Sequence, residues 1–217
     1  MPCGGLAEVE RGDRHAARAA DNDASPPYGA ALRWRFSMPT SLLLDARGLA
    51  RVLDRMASEI LERCRGTEKL VLVGIQRRGV ELAERLALRI SAREGSAIPV
   101  GKLDITLYRD DLQTVGARPV IGETKLPNLD GRQVVIVDDV LYTGRTVRAA
   151  LDECADFGRP ARVLLCVLVD RGGRELPIQA DIIGETVLVR AGERVDVRVS
   201  ELDGRDAVEL SGSDTAA

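Results

Sequence analysis

Apolar residues in the first third of the chain first follow a helical spacing and then form a short continuous run. From residue 49 to residue 64 they fall three or four positions apart, which predicts a helix with one buried stripe that ends at Gly66. Residues 70–75 are apolar and rich in β-branched side chains, as in a buried strand. A basic turn follows, and helical spacing returns over residues 80–90. The pattern predicts a helix, a strand and a second helix.

The alternation of strands and helices continues along the rest of the chain. A further helix is predicted at residues 147–155. Strands are predicted at residues 98–108, 134–137, 162–169, 182–189 and 195–199. Several of them are apolar on both faces, as in a parallel sheet that helices cover on each side. The predicted fold class is therefore α/β with a mostly parallel central sheet, in which ligands bind beyond the carboxyl ends of the strands.

Composition and charge exclude several classes of protein. The chain has 217 residues, of which 45% are hydrophobic and 30% charged, and this is typical of a folded domain. Its 31 lysines and arginines against 34 acidic residues give a net charge of −3, so no overall basic field attracts nucleic acid or anionic lipid. Residues 1–37 lack periodicity and predict a flexible extension, residues 38–210 form the predicted domain, and the polar residues 211–217 predict a disordered tail.

Cysteine and histidine usage narrows the chemistry further. The four cysteines include no Cys-x-x-Cys pair, so we expect neither a disulfide framework nor a zinc site, and a reducing compartment. The one histidine, His15, lies in the predicted extension, which argues against a Ser-His or Cys-His catalytic pair. The sequence shows neither an apolar run of about 18 residues nor a signal peptide. We therefore expect a cytoplasmic protein without a membrane segment.

The segment at residues 134–146 carries the strongest chemical signal. An apolar strand ends in Asp138 and Asp139, and a turn rich in hydroxyls and glycine then enters a helix. Free N–H groups at a helix N-terminus favour a phosphate, and paired carboxylates accept hydrogen bonds from sugar hydroxyls, so the segment predicts a site for a phosphorylated ribose. The predicted 5′-phosphate and ribose set is Asp138, Asp139, Val140, Leu141, Tyr142, Thr143, Gly144, Arg145 and Thr146. The alternative is a plain helix cap beside two solvated acids.

Residues 134–146 resemble the phosphoribosyl pyrophosphate (PRPP) motif of type I phosphoribosyltransferases, whose fold adds a small hood to the sheet. Residues 71–79, 104–112 and 167–177 resemble the PyrR family of bifunctional pyrimidine operon regulators and uracil phosphoribosyltransferases. The resemblance covers roughly residues 41–210. The PRPP motif specifies only the superfamily, whereas the Tyr-Arg-Asp-Asp run and the late arginine-rich run are specific to this family.

The resemblance implies transfer of phosphoribose from PRPP to uracil, with UMP and pyrophosphate as products. It makes Asp138 and Asp139 catalytic residues and implies Mg²⁺, held mainly by PRPP with these two carboxylates nearby. It also implies a regulator that responds to UMP or UTP, binds pyr leader mRNA and acts by attenuation, and a homo-oligomer built from dimers. The alternatives are a regulator with little catalytic activity and a purine phosphoribosyltransferase.

The turn after the strand at residues 70–75 is assigned to pyrophosphate. Backbone N–H groups and guanidinium forks there can bind a pyrophosphate as it departs, and the resemblance implies that role. The residues of the turn are Gln76, Arg77, Arg78 and Gly79. The alternative is a solvated arginine pair at a helix start, where cations without an anion oppose the helix dipole.

The charged run that follows Tyr108 predicts a loop that closes over the substrate, as in the related transferases, and so excludes water. Arg109 is expected to neutralise pyrophosphate charge and Asp110 to orient the pyrophosphate, which makes both predicted catalytic residues. The alternative for this segment is an ordinary β-hairpin with solvated charges.

The segment that follows the strand at residues 162–169 resembles the hood that covers the base. By resemblance Val169, Asp170 and Ile183 belong to this hood, which contacts the base through backbone groups. Arg171 and Arg174 are expected to point outward toward RNA. This segment therefore combines a predicted base site with part of a predicted RNA surface.

Arginines recur on the polar face of the first predicted helix. Arg47, Arg51 and Arg55 lie four residues apart, with Arg63 two turns further on, and such a ridge can follow the phosphates of a nucleic acid. Arg51, Arg55 and Arg63 are the predicted RNA-binding residues of this ridge. A solvated helix face is the alternative, because acidic residues such as Asp54 are interleaved and few aromatic side chains are present to stack bases.

Overall fold

The computed structural model describes residues 40–108 and 122–212. The strands in chain order are β1 (Ser41–Leu44), β2 (Leu70–Ile75), β3 (Val100–Leu103), β4 (Gln133–Leu141), β5 (Arg162–Asp170), β6 (Ile182–Thr186), β7 (Glu193–Arg198) and β8 (Ala207–Gly212). The helices are α1 (Ala46–Cys64), α2 (Arg78–Glu94), α3 (Arg145–Asp156) and α4 (Ser200–Asp203). Five strands form a parallel sheet in the order β3-β2-β4-β5-β6, and β1, β8 and β7 form an antiparallel second sheet.

Helices cover both faces of the parallel sheet. Successive residues of a strand point to opposite faces. Leu72 of β2 packs in one core with side chains of α1 and α2, whereas its neighbours Val71 and Val73 pack in a second core with side chains of α3. The predicted α/β class with a mostly parallel sheet is therefore confirmed, and its apolar strands are buried on both faces.

The first predicted helix is confirmed and has identifiable ends. Its start is capped by the carboxylate of Asp45, which accepts a 2.7 Å hydrogen bond from the backbone N–H of Gly48. Its apolar stripe is buried in the first core, and the chain leaves the helix through Arg65 and Gly66, both at positive φ. A glycine beyond a left-handed C-cap explains why the helix ends here.

The structure differs from the prediction in three respects. The strand expected at residues 98–108 is shorter, because a 3₁₀ turn at Ile105–Tyr108 follows β3. The buried Asp104 explains this turn, since its carboxylate accepts a 3.0 Å hydrogen bond from the backbone N–H of Thr106. β1, α4 and β8 were not predicted, and β8 extends through Gly212, two residues into the predicted tail. Residues 1–37 and 213–217 lie outside the described residues.

Within residues 40–108 and 122–212, no helix combines the length and the apolar composition that a bilayer crossing requires.

Candidate active site

A polar cleft of about 290 Å³ opens where three neighbouring strands of the parallel sheet end. β3, β2 and β4 lie side by side and parallel, so the residues that follow their carboxyl ends meet at one edge. The lining residues are Ile75, Gln76, Arg77, Arg78, Asp104, Ile105, Thr106, Asp138, Asp139, Val140 and Thr146. The cleft therefore brings the predicted pyrophosphate turn together with the predicted acidic pair.

The acidic pair lies at the exposed end of a buried strand. Asp138 is only 7% exposed, and its carboxylate accepts a 2.9 Å hydrogen bond from the backbone N–H of Asp139. The Asp139 carboxylate in turn accepts a 2.8 Å hydrogen bond from the N–H of Val140. Burial, together with the charge of Asp139, raises the pKa of Asp138 well above its usual value. The pair therefore favours ligands that donate hydrogen bonds or bring positive charge.

The pyrophosphate turn packs tightly against the same strand. Gln76 and Arg77 are joined by a cis peptide bond, and Gln76 donates a 3.1 Å side-chain hydrogen bond to the carbonyl of Glu123. Gly79 lies so close to β4 that an added Cβ would stand 3.3 Å from the Cα of Asp138. Gly79 therefore lets the α2 N-terminus approach the acidic pair, and its predicted contact with pyrophosphate stays a prediction.

The predicted phosphate loop connects β4 to α3. Gly144 is the N-cap of α3 at φ 92°, and the hydroxyl of the preceding Thr143 accepts a 3.4 Å hydrogen bond from the N–H of Arg145. The carbonyl of Thr143 accepts hydrogen bonds of 3.0 and 3.1 Å from the N–H groups of Glu175 and Leu176, which fixes the loop. Of the predicted set, Asp138, Asp139, Val140 and Thr146 line the cleft, whereas Leu141 is buried in the core. The N–H groups in the first turn of α3 point toward the loop, which makes the loop suited to an anion.

The hood segment after β5 holds this loop from the other side. Arg174 donates hydrogen bonds to the carbonyls of Tyr142 (2.9 Å) and Ile178 (3.0 Å) and to the carboxylate of Asp170 (2.5 Å). The guanidinium of Arg171 lies 4.1 Å from the ring centroid of Tyr142. Arg171 and Arg174, which were expected to point outward toward RNA, thus contact groups of their own chain, and their role in RNA binding stays a prediction.

The other predicted hood residues lie on two adjacent strands. Val169 is fully buried in the core of the parallel sheet, where β5 pairs with β4 on one side and β6 on the other. Asp170 accepts a 2.9 Å hydrogen bond from the N–H of Gly172. The carbonyl of Ile183, on β6, accepts a 3.1 Å hydrogen bond from Arg55 of α1. The hood is thus tied both to the phosphate loop and to α1.

A buried carboxylate that sequence analysis did not single out also lines the cleft. Asp104 accepts hydrogen bonds from the N–H and hydroxyl of Thr106 and from the N–H of Gly122. Burial alone would raise the pKa of Asp104, but these hydrogen bonds lower it. The hydroxyl of Thr124 accepts a 3.0 Å bond from the Asp104 N–H and donates a 2.6 Å bond to Glu153 of α3. The only feature of the sequence that could have indicated Asp104 is the position of an acid at the end of a strand.

The arginine ridge on α1 is only partly free. Arg55 binds the carbonyls of Ile183 and Gly184, and Arg63 binds Glu59 one turn earlier at 2.8 Å. Arg51 is exposed and forms no hydrogen bond or ion pair with any residue that the structure describes. A groove of about 410 Å³ runs along the same helix, lined by Arg55, Ser58, Glu59, Glu62 and Arg63. Arg51 is thus the most available to a partner of the three predicted RNA-binding arginines on α1.

Two predicted catalytic residues, Arg109 and Asp110, lie outside the described residues, so the closing loop stays a prediction.

Comparison with known proteins identifies the family. Residues 39–195 match the family model "Phosphoribosyl transferase domain". The chain is 58% identical over 167 residues to "Bifunctional protein PyrR" of Pelotomaculum thermopropionicum, covering 76% of this chain and 92% of that one. The chain belongs to the PyrR family. "Bifunctional protein PyrR" of Thermus aquaticus is 56% identical over 169 residues, or 77% of this chain and 93% of that one. The predicted membership of PyrR, and with it of the phosphoribosyltransferases, is confirmed.

Solved structures agree with this fold. The hypoxanthine phosphoribosyltransferase of Trypanosoma cruzi superposes with a TM-score of 0.60 at 17% identity, covering 80% of this chain and 97% of that one. A hypoxanthine phosphoribosyltransferase of Staphylococcus aureus gives a TM-score of 0.59 at 18% identity, with coverage of 80% and 91%. At such low identity the likeness shows the fold alone, and the predicted type I phosphoribosyltransferase fold of this PyrR protein is confirmed.

Proposed function

We propose that this PyrR protein transfers phosphoribose from PRPP to uracil, forming UMP and pyrophosphate. The observation that carries the proposal is that one cleft joins the acidic pair, the arginine turn and the N-terminus of α3 in a chain 58% identical to a bifunctional PyrR. These three groups match the ribose hydroxyls, the pyrophosphate and the 5′-phosphate of a single substrate. A site with only one of them would not select PRPP.

The cleft supports catalysis by positioning and charge. N–H groups in the first turn of α3 bind the 5′-phosphate, Asp138 and Asp139 accept hydrogen bonds from the ribose hydroxyls, and Arg77 and Arg78 attract the pyrophosphate. The bond from ribose C1 to the pyrophosphate oxygen breaks as a bond to a uracil nitrogen forms, and that nitrogen loses its proton. The carboxylates stabilise the positive charge that develops on the ribose, so no protein nucleophile is required.

The carboxylates also fit Mg²⁺, which phosphoribosyltransferases generally use with PRPP. In residues 40–108 and 122–212 no three His, Cys, Asp or Glu side chains form a metal cage. Mg²⁺ is commonly held by one or two carboxylates and substrate phosphates, and Asp138 and Asp139 supply two such groups in the cleft. Mg²⁺ neutralises pyrophosphate charge when it is bound with PRPP.

The test of the transferase is UMP formation from PRPP and uracil with Mg²⁺, with guanine and hypoxanthine run in parallel. We expect a product with uracil and none with the two purines, because the PyrR relatives share more than half of this chain's aligned residues. A product with guanine or hypoxanthine instead would show a purine transferase. No product with any base, from protein that binds PRPP or UMP, would indicate a regulator without catalysis.

We further propose that the chain binds pyr leader mRNA in response to UMP or UTP and regulates pyrimidine genes by attenuation. Membership of the PyrR family supports this second activity. Arg51 on α1, exposed and without a partner in the described part of the chain, supports the position of the RNA contact. The engaged Arg171 and Arg174 are weaker candidates for that contact.

The change Arg51→Ala should weaken binding to a pyr leader RNA measured with UMP present. Loss of one phosphate contact should also reduce the slope of log affinity against log salt by about 1. The matched control is Arg148→Ala, which removes an exposed arginine from α3, on another part of the surface. Equal binding by wild type and Arg51→Ala, or an affinity that UMP does not raise, would count against the proposal.

We also propose a homo-oligomer and a cytoplasmic location. Among the described residues, Leu88 and Leu188 are large apolar side chains that are 71% and 93% exposed, and a second copy would cover such groups. Cys64, Cys154 and Cys166 are buried free thiols, which is compatible with a reducing compartment. Sedimentation at the 23.5 kDa mass of one chain would disprove the oligomer.

A further inference from the structure

Asp203 ends α4, which connects two strands of the second sheet, and its side chain reaches Arg78, which lines the cleft. Its carboxylate accepts hydrogen bonds from Nε (3.2 Å) and Nη2 (3.0 Å) of Arg78. It also accepts a 2.9 Å bond from the backbone N–H of Val199 and a 3.4 Å bond from Arg198. These donors, Arg78 first, lower the pKa of Asp203 to about 2. Asp203 therefore holds one edge of the Arg78 guanidinium as a permanent anion.

Arg78 itself stands between two acids. It lines the cleft, and its positive charge lowers the pKa of Asp139, opposing the larger effect of burial. Asp203 occupies Nε and Nη2, while Nη1 forms no hydrogen bond to any described residue. A planar guanidinium fixed along one edge presents its remaining N–H groups in a defined direction. The free Nη1 is the group that an anion in the cleft can bind.

We propose that Asp203 is a positioning residue for pyrophosphate, acting through Arg78. The inference rests on the proposed function in that it takes Arg78 as a pyrophosphate ligand. Without Asp203, the Arg78 side chain is free to turn toward the neighbouring Asp139, where it would occupy the acidic pair. Pyrophosphate binding must then break that new contact and order a long side chain, and both requirements weaken it.

Charge alone predicts the opposite effect, which is tighter binding of pyrophosphate without Asp203. Removing the negative charge of Asp203 would make the cleft more attractive to pyrophosphate. The Asp203–Arg78 contact is only partly exposed, with 13% and 32% of the two side chains accessible, so orientation is lost when the carboxylate is removed. We expect loss of orientation to outweigh the gain in charge, and the sign of the change decides between the two effects.

The chain contains a matched control pair on the same helix. Arg85, two turns after Arg78 on α2, binds Asp206 at 3.0 and 2.8 Å and Glu201 at 2.6 Å. Neither Arg85 nor Asp206 lines the cleft. Asp206→Asn thus removes the same type of arginine contact from the same part of the second sheet without touching the pyrophosphate turn.

The experiment compares binding of Mg²⁺-pyrophosphate to the full-length wild type, Asp203→Asn and Asp206→Asn by titration calorimetry. Loss of one oriented charged hydrogen bond predicts binding about tenfold weaker in Asp203→Asn. UMP, which lacks pyrophosphate, should bind all three proteins within about twofold. Asp206→Asn should match the wild type for both ligands, although its thermal unfolding temperature should also fall.

Further variants keep the proposal falsifiable if Asp203→Asn folds poorly. Arg78→Lys retains the charge but cannot bind Asp203 through two nitrogens, and it should lose pyrophosphate affinity selectively. In an Arg78→Gln background, Asp203→Asn should have no further effect on pyrophosphate binding. Unchanged or tighter pyrophosphate binding by Asp203→Asn, or an equal loss in Asp206→Asn, would overturn the inference. Because the readout is binding, a wild type that makes no UMP would refute the proposed reaction and leave this result interpretable.

Discussion

Replacing Asp139 by asparagine should lower the rate of UMP formation from uracil and PRPP by about 10²-fold or more. Asp139 accepts the Val140 N–H and lines the cleft, so its carboxylate is placed to contact the substrate. An asparagine keeps the shape but replaces one acceptor by a donor and removes the charge that stabilises a cationic ribose. Steady-state kinetics with saturating uracil measures the loss.

The buried carboxylates of Asp138 and Asp139 should lower the stability of the folded protein at neutral pH. Burial raises the pKa of both Asp138 and Asp139, so the ionised form is disfavoured in the folded protein. Stability is then lost as the pH rises above 3.8, the value of an ordinary aspartate. Asp138→Asn should therefore unfold at a temperature roughly 2–4 °C higher at pH 7, the shift expected for 1 kcal/mol. The difference should vanish near pH 4.

The control for both measurements is Asp152→Asn. Asp152 is an exposed acid on α3 that pairs with Arg148 at 3.5 Å, away from the cleft. It should change neither turnover nor the unfolding temperature appreciably, since exposed ion pairs contribute little. Normal turnover in Asp139→Asn would remove that residue from the mechanism, and a lower unfolding temperature in Asp138→Asn at pH 7 would show that the buried carboxylate is compensated.

Sequence alone predicts the parts of the site that follow one another along the chain. The strand at Leu70–Ile75, the acidic pair and the turn into α3 were all predicted, because each depends on local apolar periodicity, glycine and helix-capping rules. The parallel topology then brings their ends together. Local pattern and strand order are therefore sufficient to predict which elements meet at the cleft.

Contacts between distant residues could not be predicted in this way. Arg78 and Asp203 are 125 residues apart, and no local pattern around either residue indicates the other as its partner. Arg174 was expected to point outward toward RNA, yet three acceptors hold it against the phosphate loop. The partner of an arginine depends on the tertiary fold, which a pattern of charges does not contain.

Gly79→Ala should combine a large loss of activity with a loss of stability. The added Cβ would lie 2.5 Å from the carbonyl oxygen of Val137 and 3.3 Å from the Cα of Asp138, and these backbone atoms cannot turn aside. The start of α2 must therefore move away from β4, at a cost of about 1–3 kcal/mol. Because this shift separates Arg78 from the acidic pair, a displacement of about 1 Å should lower kcat/KM for PRPP by about 10²-fold.

Comparison with Ala83→Gly separates the effect of a displaced α2 from the effect of a less stable protein. Ala83 lies one turn later on the same buried face of α2, and its replacement lowers helix stability by about 1 kcal/mol without adding an atom. At 25 °C, where both proteins remain folded, Ala83→Gly should keep nearly full activity while Gly79→Ala does not. Equal activity in the two variants would show that the distance between α2 and β4 does not control catalysis. The close approach that Gly79 permits would then serve only the stability of the fold.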